Sequence, residues 1–421
     1  MVVLAISCKT GSNLFGKQSP HEKYGNKIKE AGLAETSLGR LWFSKAAKAL
    51  QQPAKVTLPY KEIGYFPADN PRATGLQFAA KRGQKLIFSL DVNPRDSFLL
   101  FVDLWRIETD TSLLFSADSS QTSFEYTVDE DGDYLLRLQP ELLKSGDYAV
   151  SISVGPSLSS PVAGNKGRIG SIWGDDRDAG ARSHEGIDIF APFRTPAIAA
   201  TDGTVTAVNE NNLGGKVVWL RPKGKRLSLY YAHLDEQLVT GGQKVKKGDT
   251  LGLIGNTGNA RTTPPHLHFG IYATGGAINP LPFVDPDIKN PPSISGSAND
   301  LTAKLRLARS EKVLMGESSV TLKPYTILEP VAVTPAGYRV ELDNGQSVII
   351  PKKNVQTLKG ELKTAYAKND GYLYDAPKFL ASRISAVKQK TSLEIYGYAN
   401  NFSFVQLDNT RGWLPDSLLS K

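Results

Sequence analysis

Apolar positions repeat along the chain first with a helical period and then with the period of a strand. Leu38, Leu41 and Trp42 begin an i, i+3, i+4 pattern that continues through Ala49 and stops at Pro53. This spacing predicts an amphipathic helix within a helical segment at residues 20–53. From residue 54 to residue 157, short runs alternate between apolar and polar residues and are separated by glycine-containing turns. That alternation is typical of an antiparallel β-sandwich.

Three further regions follow the sandwich segment. A β-rich block occupies residues 165–287, and a stretch rich in proline, serine and glycine predicts a linker at residues 288–302. The tail repeats a short sequence, because residues 340–345 (VELDNG) recur in similar form as residues 405–410 (VQLDNT). The repeat predicts two related β modules, at residues 303–360 and 361–421. The predicted fold class is therefore mostly β and multidomain, with a short helical N-terminus.

The second tail module carries a recognisable set of short motifs. They are Gly371-Tyr372-Leu373-Tyr374, Phe404-Val405 and Gly412-Trp413-Leu414-Pro415. By these residues the module resembles bacterial SH3-like domains. The resemblance implies two small SH3-like barrels in the tail that bind cell-wall peptide. The alternative is that the barrels only pack against the middle block.

Composition excludes several classes of protein. The chain has 421 residues, 40% of them hydrophobic, which is enough for several packed cores. No apolar run reaches the roughly 18 residues that a membrane-spanning helix needs. The single cysteine, Cys8, excludes an intrachain disulfide and a cysteine-rich zinc site.

The net charge of +8 is concentrated in the tail. Residues 301–421 hold 17 Lys+Arg against 11 Asp+Glu. Such a surplus suits an anionic polymer such as cell wall or nucleic acid, while a solvated basic surface explains it equally well. Because the basic residues are dispersed and form no recognised nucleic-acid motif, no nucleic-acid partner is expected.

The first eight residues are apolar or small and end in Cys8. They resemble the end of a bacterial lipoprotein signal, in which the cysteine is lipidated, although a basic start and a full apolar core are missing. We interpret residues 1–8 as a truncated signal whose start codon is placed too late, with contact to a membrane only through a lipid anchor at Cys8. The alternative is an ordinary thiol on a frayed end.

Four of the five histidines fall within one fifth of the chain, and they are His184, His233, His266 and His268. Along an extended chain, side chains two or four positions apart share a face. His184 and Asp188 therefore share a face, as do His266 and His268. If the two strands are neighbours, two imidazoles and one carboxylate converge with the remaining histidine beside them. The fifth histidine, His21, lies in a polar stretch and is assigned to solvent.

Two imidazoles and one carboxylate fit a zinc site with three protein ligands and an open position. Such an opening is typical of catalysis, since structural zinc sites are closed by four ligands and usually recruit cysteine. Two histidines also favour zinc over magnesium or calcium. His184-Glu185 does not begin a helical H-E-x-x-H motif, because position 188 is aspartate and Gly186 disfavours helix. Glu185 is therefore interpreted as an exposed neighbour of the site and not as its general base.

The same region carries a longer series of motifs in a fixed order. They are Ser171-Ile172-Trp173-Gly174, His184-x-x-x-Asp188, Thr195-Pro196-Ala197, Asp202-Gly203-Thr204-Val205, Tyr231-x-His233-Leu234, Leu253-Ile254-Gly255-Asn256-Thr257-Gly258 and His266-Leu267-His268-Phe269. In this order they resemble the lysostaphin-type, LytM-like zinc endopeptidases of bacterial cell walls. The resemblance covers about 120 residues, so it concerns the middle block and leaves the flanks to inference.

The resemblance implies a role for each polar residue of the cluster. His184, Asp188 and His268 are expected to bind one Zn²⁺ per chain, and His233 and His266 are expected to flank the water as catalytic residues. Arg194 and Pro264 stand where the family usually has glycine, and both changes are expected to reshape the groove wall without touching a ligand.

These observations lead to two principal hypotheses about function. In the first, the chain is a zinc metalloendopeptidase of the bacterial cell envelope that hydrolyses peptide cross-links of peptidoglycan with a metal-activated water. One of His233 and His266 is then expected to transfer protons, and both are candidate donors to the oxyanion. In the second, the same fold is a non-catalytic or latent cell-wall-binding regulator. The specific bond and the oligomeric state are left open.

Overall fold

The structure is a computed structural model that describes residues 18–94, 98–109, 111–165, 167–177, 180–295, 301, 303–315, 318–342 and 346–420. The predicted signal segment at residues 1–8, with Cys8, lies outside the described residues. Within them, none of the helices is long and apolar enough to cross a membrane.

The helical segment forms two α-helices, α1 (Pro20–Glu30) and α2 (Ser37–Gln51). Ser19 and Glu22 form a reciprocal capping box at the start of α1, and Thr36 accepts a hydrogen bond from the Gly39 N–H at the start of α2. The predicted apolar face of α2 is confirmed, since it buries Trp42, whose Nε1 donates to the Pro140 carbonyl at 2.8 Å.

His21 is buried against this helix, so its assignment to solvent was wrong. Its ring stacks on Trp42 with 4.7 Å between ring centroids. Gln139 donates through Nε2 to the Trp42 carbonyl, and its Oε1 therefore accepts from His21 Nε2 at 2.6 Å. The polar surroundings of His21 in sequence gave no sign of this partner, which lies 118 residues away.

The region after the helices is built from antiparallel strands in two facing sheets. Its strands are β1 (Ala54–Lys55), β2 (Tyr60–Phe66), β3 (Thr74–Ala80), β4 (Gln84–Asn93), β5 (Leu100–Ile107), β6 (Ser112–Asp118), β7 (Ser123–Thr127), β8 (Gly132–Pro140) and β9 (Gly146–Pro156). One sheet has the order β1-β3-β8-β5-β6, with β1 parallel to β3, and the other contains β2-β9-β4-β7. Their inner faces share one core, which includes Leu76, Phe88 and Leu136.

The middle block is dominated by a second, larger sheet system. Its elements are β10 (Arg168–Ser171), β11 (Asp176–Arg177), β12 (Arg182–Ser183), β13 (Ile187–Phe190), β14 (Pro196–Ile198), β15 (Gly203–Asn211), β16 (Gly215–Pro222), β17 (Ser228–Gln237), β18 (Lys244–Val245), β19 (Thr250–Ile254), β20 (His266–Ala273), β21 (Gly276–Ile278) and α3 (Leu281–Val284). Strands β10-β13-β20-β17-β16-β15-β18 lie in this order, while β14 and β19 pair beside β17 and β21 pairs with β20. The order brings β13, β20 and β17 together at its centre.

The tail contributes two groups of strands. The first is β22 (Leu305–Leu307), β23 (Glu311–Met315), β24 (Ser318–Leu322), β25 (Ile327–Leu328), β26 (Pro330–Thr334), β27 (Gly337–Glu341), β28 (Ser347–Ile350) and β29 (Val355–Thr357). The second is β30 (Lys363–Tyr366), β31 (Gly371–Tyr374), β32 (Arg383–Val387), β33 (Ser392–Ala399), β34 (Phe402–Leu407) and β35 (Thr410–Pro415), which form one sheet. Short 3₁₀ helices occur at Ala163–Asn165, Gly258–Ala260, Lys352–Asn354 and Asp416–Leu418. The mostly β fold is confirmed, while the small-barrel resemblance of the tail stays a prediction.

Strands of the first tail module pair with a sheet of the sandwich. Strand β26 pairs with β2, so that β28-β27-β26 extends the sandwich sheet through Ile63 opposite Val333. The buried Arg339 of β27 donates to both carboxylate oxygens of Glu62 in β2, from Nε at 2.8 Å and from Nη2 at 2.9 Å. The sheet therefore crosses the boundary expected between the sandwich and a separate module at residues 303–360.

The sandwich also packs against the middle block. Gly83, at φ +91°, lies so close to Phe283 that an added Cβ would be 2.2 Å from its ring. The Leu158 N–H donates to the Phe283 carbonyl at 2.8 Å, and Lys289, in the predicted linker, exchanges two backbone hydrogen bonds with Val154. These contacts fix the sandwich beside α3 of the middle block.

Candidate metal centre and active site

Strand pairing places Asp188 directly against His268. Strands β13 and β20 are antiparallel, with Asp188 opposite His268 and Phe190 opposite His266. Leu267, between the two histidines, is fully buried in the core. The predicted alternation is therefore confirmed, because the polar side chains share one face of the sheet and the apolar ones share the other.

His184 reaches the site from a loop and not from the strand that carries Asp188. It lies between β12 and β13, where its N–H donates to the Asp175 carbonyl at 2.9 Å and its carbonyl accepts from the Gly174 N–H at 3.0 Å. His184 is therefore positioned by these two backbone hydrogen bonds, and not, as expected, by an extended strand that it shares with Asp188. His184 Nδ1 donates to the Ile172 carbonyl at 2.8 Å, which leaves Nε2 as the acceptor atom.

Three atoms that could bind a metal, two nitrogens and one oxygen, lie close to one another. His184 Nε2 lies 3.1 Å from Asp188 Oδ1 and 3.0 Å from His268 Nδ1, and His268 Nδ1 lies 3.0 Å from Asp188 Oδ1. For a tetrahedral zinc ion with bonds of about 2.0–2.1 Å, neighbouring ligand atoms lie about 3.3 Å apart. The three atoms therefore fit the edges of one face of such a tetrahedron.

The protonation of His184 explains why these atoms favour a cation. With its proton on Nδ1, His184 turns a lone pair at Nε2 toward Asp188 Oδ1, which is also an acceptor. Two acceptors at this distance repel each other unless a proton or a cation lies between them. The histidine–aspartate–histidine cluster can thus hold a metal ion, as the mutual approach of its ligand atoms also indicates.

A second layer of contacts orients the Asp188 carboxylate. Arg177 Nη2 donates to Asp188 Oδ2 at 2.9 Å and to Ser171 Oγ at 2.6 Å, and Ser171 Oγ donates to Asp175 Oδ2 at 2.8 Å. Arg177 thereby holds one carboxylate oxygen and leaves the other, Oδ1, directed at the histidines. Burial acts to raise the pKa of Asp188, but the neighbouring imidazoles of His184 and His268 outweigh burial and hold that pKa below its usual range.

A glycine makes room for the third ligand. A Cβ added at Gly186 would lie 2.7 Å from His268 Nε2 and 2.7 Å from the Phe269 carbonyl. Neither the ring nor the strand backbone can withdraw easily, because both are packed at the centre of the sheet. Position 186 therefore requires glycine, because His268 and the backbone of β20 approach it closely.

His233 enters the site through a β-bulge. Lys216 and Val218, two positions apart on β16, pair with Leu234 and Tyr231, three positions apart on β17. The extra residue is accommodated where His233 adopts φ +62°, in the left-handed region. Tyr231 and Leu234 both point into the core as a result, and His233 turns to the face that carries His268.

The two remaining histidines present the same ring atom to the site. His233 Nδ1 donates to the Thr257 carbonyl at 2.9 Å, and His266 Nδ1 donates to the Pro264 carbonyl at 2.9 Å. In both rings the neutral form therefore carries its lone pair on Nε2. Their ring centroids are 4.9 Å apart, and His266 Nε2 lies 3.9 Å from Asp188 Oδ1, so the pair lies beside the ligand cluster.

Burial keeps His233 and His268 neutral. Burial first, and the neighbouring His266 and His268 second, lower the pKa of His233 to about 4. Burial also lowers the pKa of His268, although the Asp188 carboxylate acts in the opposite direction. At neutral pH the His233 ring is therefore an acceptor at Nε2, which is the form that a proton acceptor needs.

Glu185 and Arg194 lie at the periphery, away from the ligand atoms. Glu185 is exposed and accepts a long hydrogen bond of 3.5 Å from the Tyr272 hydroxyl. Arg194 has φ +62°, a conformation that favours the glycine usual in the family, and its guanidinium binds the carboxylates of Asp235 and Glu236. These contacts hold the loop at the edge of the site.

Sequence reasoning missed the residues that orient the ligands. Arg177 and the carbonyls of Ile172, Thr257 and Pro264 have no spacing pattern that marks them. The motifs Ser171–Gly174 and Leu253–Gly258 did contain two of these carbonyls, so the motif series held a signal without revealing its role. Backbone acceptors carry no side-chain identity, which is why spacing alone cannot find them.

Comparison with known proteins identifies the middle block. Residues 182–280 match the family model described as Peptidase family M23. The match includes His184, Asp188, His233, His266 and His268, and it confirms the resemblance inferred from the motifs for this region.

Individual relatives match part of the chain. An uncharacterized metalloprotease of Haemophilus influenzae is 40% identical over 136 residues, which are 32% of this chain and 27% of the relative. Peptidoglycan DD-endopeptidase ShyC of Vibrio cholerae is 35% identical over 134 residues, 31% of this chain and 30% of the relative. The catalytic domain of the peptidase lysostaphin from Staphylococcus simulans is 29% identical, with 29% of this chain and 94% of that chain covered and a TM-score of 0.27. The chain spans less than a third of the length of the two curated relatives.

Proposed function

We propose that this chain, which carries an M23 peptidase domain over residues 182–280, is a zinc-dependent endopeptidase that hydrolyses peptides of bacterial peptidoglycan. The observation that carries the proposal is the convergence of His184 Nε2, Asp188 Oδ1 and His268 Nδ1 within 3.1 Å of one another. Two nitrogen ligands and one oxygen ligand leave a tetrahedral ion one position for solvent or substrate. That is the arrangement of a catalytic zinc site.

We assign the ligand role to His184, Asp188 and His268. Zinc in a site of this kind makes water a stronger nucleophile at neutral pH and polarises the scissile carbonyl. The chain itself fixes the ligands, since the Ile172 carbonyl orients His184 and Arg177 orients Asp188.

We assign proton transfer to one of His233 and His266 and stabilisation of the oxyanion to the other. Both rings are held by a carbonyl at Nδ1 and present Nε2 next to the ligand cluster. Nε2 of a neutral ring accepts a proton from water, and the resulting imidazolium then returns that proton to the leaving amine. The second ring donates a hydrogen bond to the oxyanion when it is protonated. Hydrolysis consequently proceeds without an acyl-enzyme.

The substrate class rests on the matched relatives. One of them is named a peptidoglycan DD-endopeptidase, which points to peptidoglycan as the polymer and to a site of action outside the cytoplasm. A lipid anchor at Cys8 and wall binding by SH3-like modules at residues 303–360 and 361–421 complete our proposal for the bacterial cell envelope. The basic surplus of the tail suits an anionic wall surface.

Digestion of purified sacculi by the full chain tests this function. We expect new amino termini, identified by mass spectrometry of the released muropeptides, that vanish with a chelator and return with zinc. Asp188→Ala should release none, whereas Arg40→Gln, an exposed position on α2, should release as much as the parent. Sacculi that are bound but not cleaved by the zinc-loaded chain would instead support a non-catalytic wall-binding regulator.

A further inference from the structure

A small cavity lies where the N-terminal helix, the sandwich and the tail meet. Its volume is about 40 Å³, and its walls come from α2, from the segment before β3 and from β27. On the scale in which one water occupies about 10–15 Å³, it holds about three waters. None of its lining residues belongs to the M23 domain, so it is independent of the proposed active site.

The lining of this cavity carries an excess of cations. Lys45 and Lys48 lie one turn apart on α2, and Arg72 faces them from the loop between β2 and β3. Glu341 is the carboxylate that faces them, and it lies 2.7 Å from Lys48 Nζ and 3.8 Å from Lys45 Nζ. A fourth lining cation, Arg339, already forms an ion pair with Glu62 of β2.

Arg72 is the cation that this arrangement leaves without a partner. Among the residues that the structure describes, its guanidinium forms no hydrogen bond or ion pair, although it is half-buried. The carboxylates of Glu341 and Asp69 act on Arg72 only from a greater distance. A guanidinium offers five donors in a fixed fork, and those of Arg72 are available to an oxyanion in the cavity.

The neighbouring cations repel one another. Burial lowers the pKa of Lys45, of Arg72 and of the nearby Lys304, and like charges add to the effect in each case. Lys304 has its own carboxylate partner, Glu329. Within the cavity, Lys45, Lys48 and Arg72 face the single lining carboxylate of Glu341, so positive charge is in excess there.

We propose that this cavity is a binding site for a phosphate group. Arg72 and Lys45 would donate to its oxygens while Lys48 remains paired with Glu341. A tetrahedral oxyanion matches the fork of a guanidinium and the size of the cavity. The group bridges α2, the sandwich and the tail strands, so that its binding ties the first and last parts of the chain together.

Phosphate groups reach such a site from two sources, free phosphate esters and the headgroups of lipids. The cavity is too small for more than the phosphate itself, and any attached group must extend into solvent. Inorganic phosphate, glycerol 3-phosphate and phosphatidylglycerol vesicles therefore serve as separate probes. Binding of the first two without the vesicles indicates a soluble ligand, and binding of the vesicles as well indicates that a headgroup can enter.

Calorimetric titration of the full chain with inorganic phosphate at constant ionic strength tests the proposal. We expect saturable binding that Arg72→Gln weakens about 10- to 100-fold, because one charge-assisted interaction is lost. Lys45→Gln should weaken it as well, and Arg40→Gln, on the same helix but outside the cavity, should not. The melting temperature should rise with phosphate in the parent and not in Arg72→Gln.

Three outcomes would overturn the proposal. They are the absence of binding by the parent, equal binding by Arg72→Gln and Arg40→Gln, and an equal rise in melting temperature with chloride at the same ionic strength. If Arg72→Gln does not fold, Lys45→Gln decides the question alone. Hydrolysis of sacculi is not part of the readout, so the result is independent of the proposed peptidase function.

Discussion

Two buried polar clusters in this chain differ in whether their own residues satisfy them. In the sandwich, the Glu62 carboxylate accepts hydrogen bonds from the hydroxyls of Tyr60 and Tyr148, each at 2.6 Å, and from two nitrogens of Arg339. In the segment that matches the M23 family model, Asp188 Oδ1 and His184 Nε2 are two acceptors that face each other at 3.1 Å. The first cluster supplies a donor to each carboxylate oxygen, whereas in the second cluster two acceptors are directed at each other.

This difference separates a structural cluster from a chemical one. A buried carboxylate whose acceptors all receive donors holds two chain segments together and has no capacity left for a ligand. Acceptors that converge without a proton between them are stable only when a cation joins them. Each place holds a carboxylate paired with an arginine, and the count of donors against acceptors distinguishes them.

Removing a metal ligand should have the largest effect. We expect Asp188→Ala or His268→Ala to abolish both zinc binding and hydrolysis, since two protein ligands no longer hold the ion. The measurement is the zinc content of the purified chain by mass spectrometry, together with release of peptide termini from sacculi. Glu62→Gln, in the sandwich cluster, is the matched control and should retain full zinc. Stoichiometric zinc in His268→Ala would contradict the ligand set.

Removing a proton-transfer residue should leave the metal in place. We expect His233→Ala to keep one zinc per chain and to lower kcat by about 10²–10⁴, the usual contribution of general acid–base catalysis. Steady-state hydrolysis of a purified muropeptide, with zinc content measured on the same sample, checks this. Loss of zinc together with activity would place His233 among the ligands.

Breaking the sandwich cluster should change stability and not chemistry. We expect Arg339→Met to lower the free energy of unfolding by about 3–5 kcal/mol, because the buried Glu62 charge loses its partner. The measurement is the urea midpoint of the full chain. Pairing it with Glu62→Gln should recover part of the loss, since the uncompensated charge is gone. A decrease below about 1 kcal/mol would show that solvent reaches the pair.

His21 provides a third, neutral cluster whose response to pH can be worked out. Burial, followed by the charge of Arg137, lowers the pKa of His21 to about 3, against about 6.5 in an unfolded chain. The unfolded state therefore binds the proton more tightly, and stability falls as the pH drops from about 6.5 towards 3. At pH 5 the loss should be about 2 kcal/mol relative to pH 7.

The control for this pH effect is His21→Gln, which keeps a donor near Gln139 and cannot titrate in this range. Urea unfolding of the parent and of the variant at pH 7 and pH 5 isolates the histidine contribution from that of other groups. Equal losses in the two proteins would mean that His21 is already solvated in the folded state.

The candidate site was more predictable than the domain packing. His266 and His268 flank a buried leucine, and this period of two is enough to put both rings on one face of β20. The position of His233 was known from its motif, but the bulge that turns it there depends on pairing with β16. The burial of His21 had no local signal, because its partner Gln139 belongs to β8.

The sequence by itself determined the types of ligand atoms, their alternation on strands and the mostly β character of the chain, because these depend on residue identity and short spacing. Only the tertiary structure decided which backbone carbonyls fix each histidine, how Arg177 turns Asp188, and that the tail strands join the sandwich. The Glu62–Arg339 pair joins residues 277 positions apart. Contacts of that range arise from the packing of whole sheets, and no pattern within one segment records them.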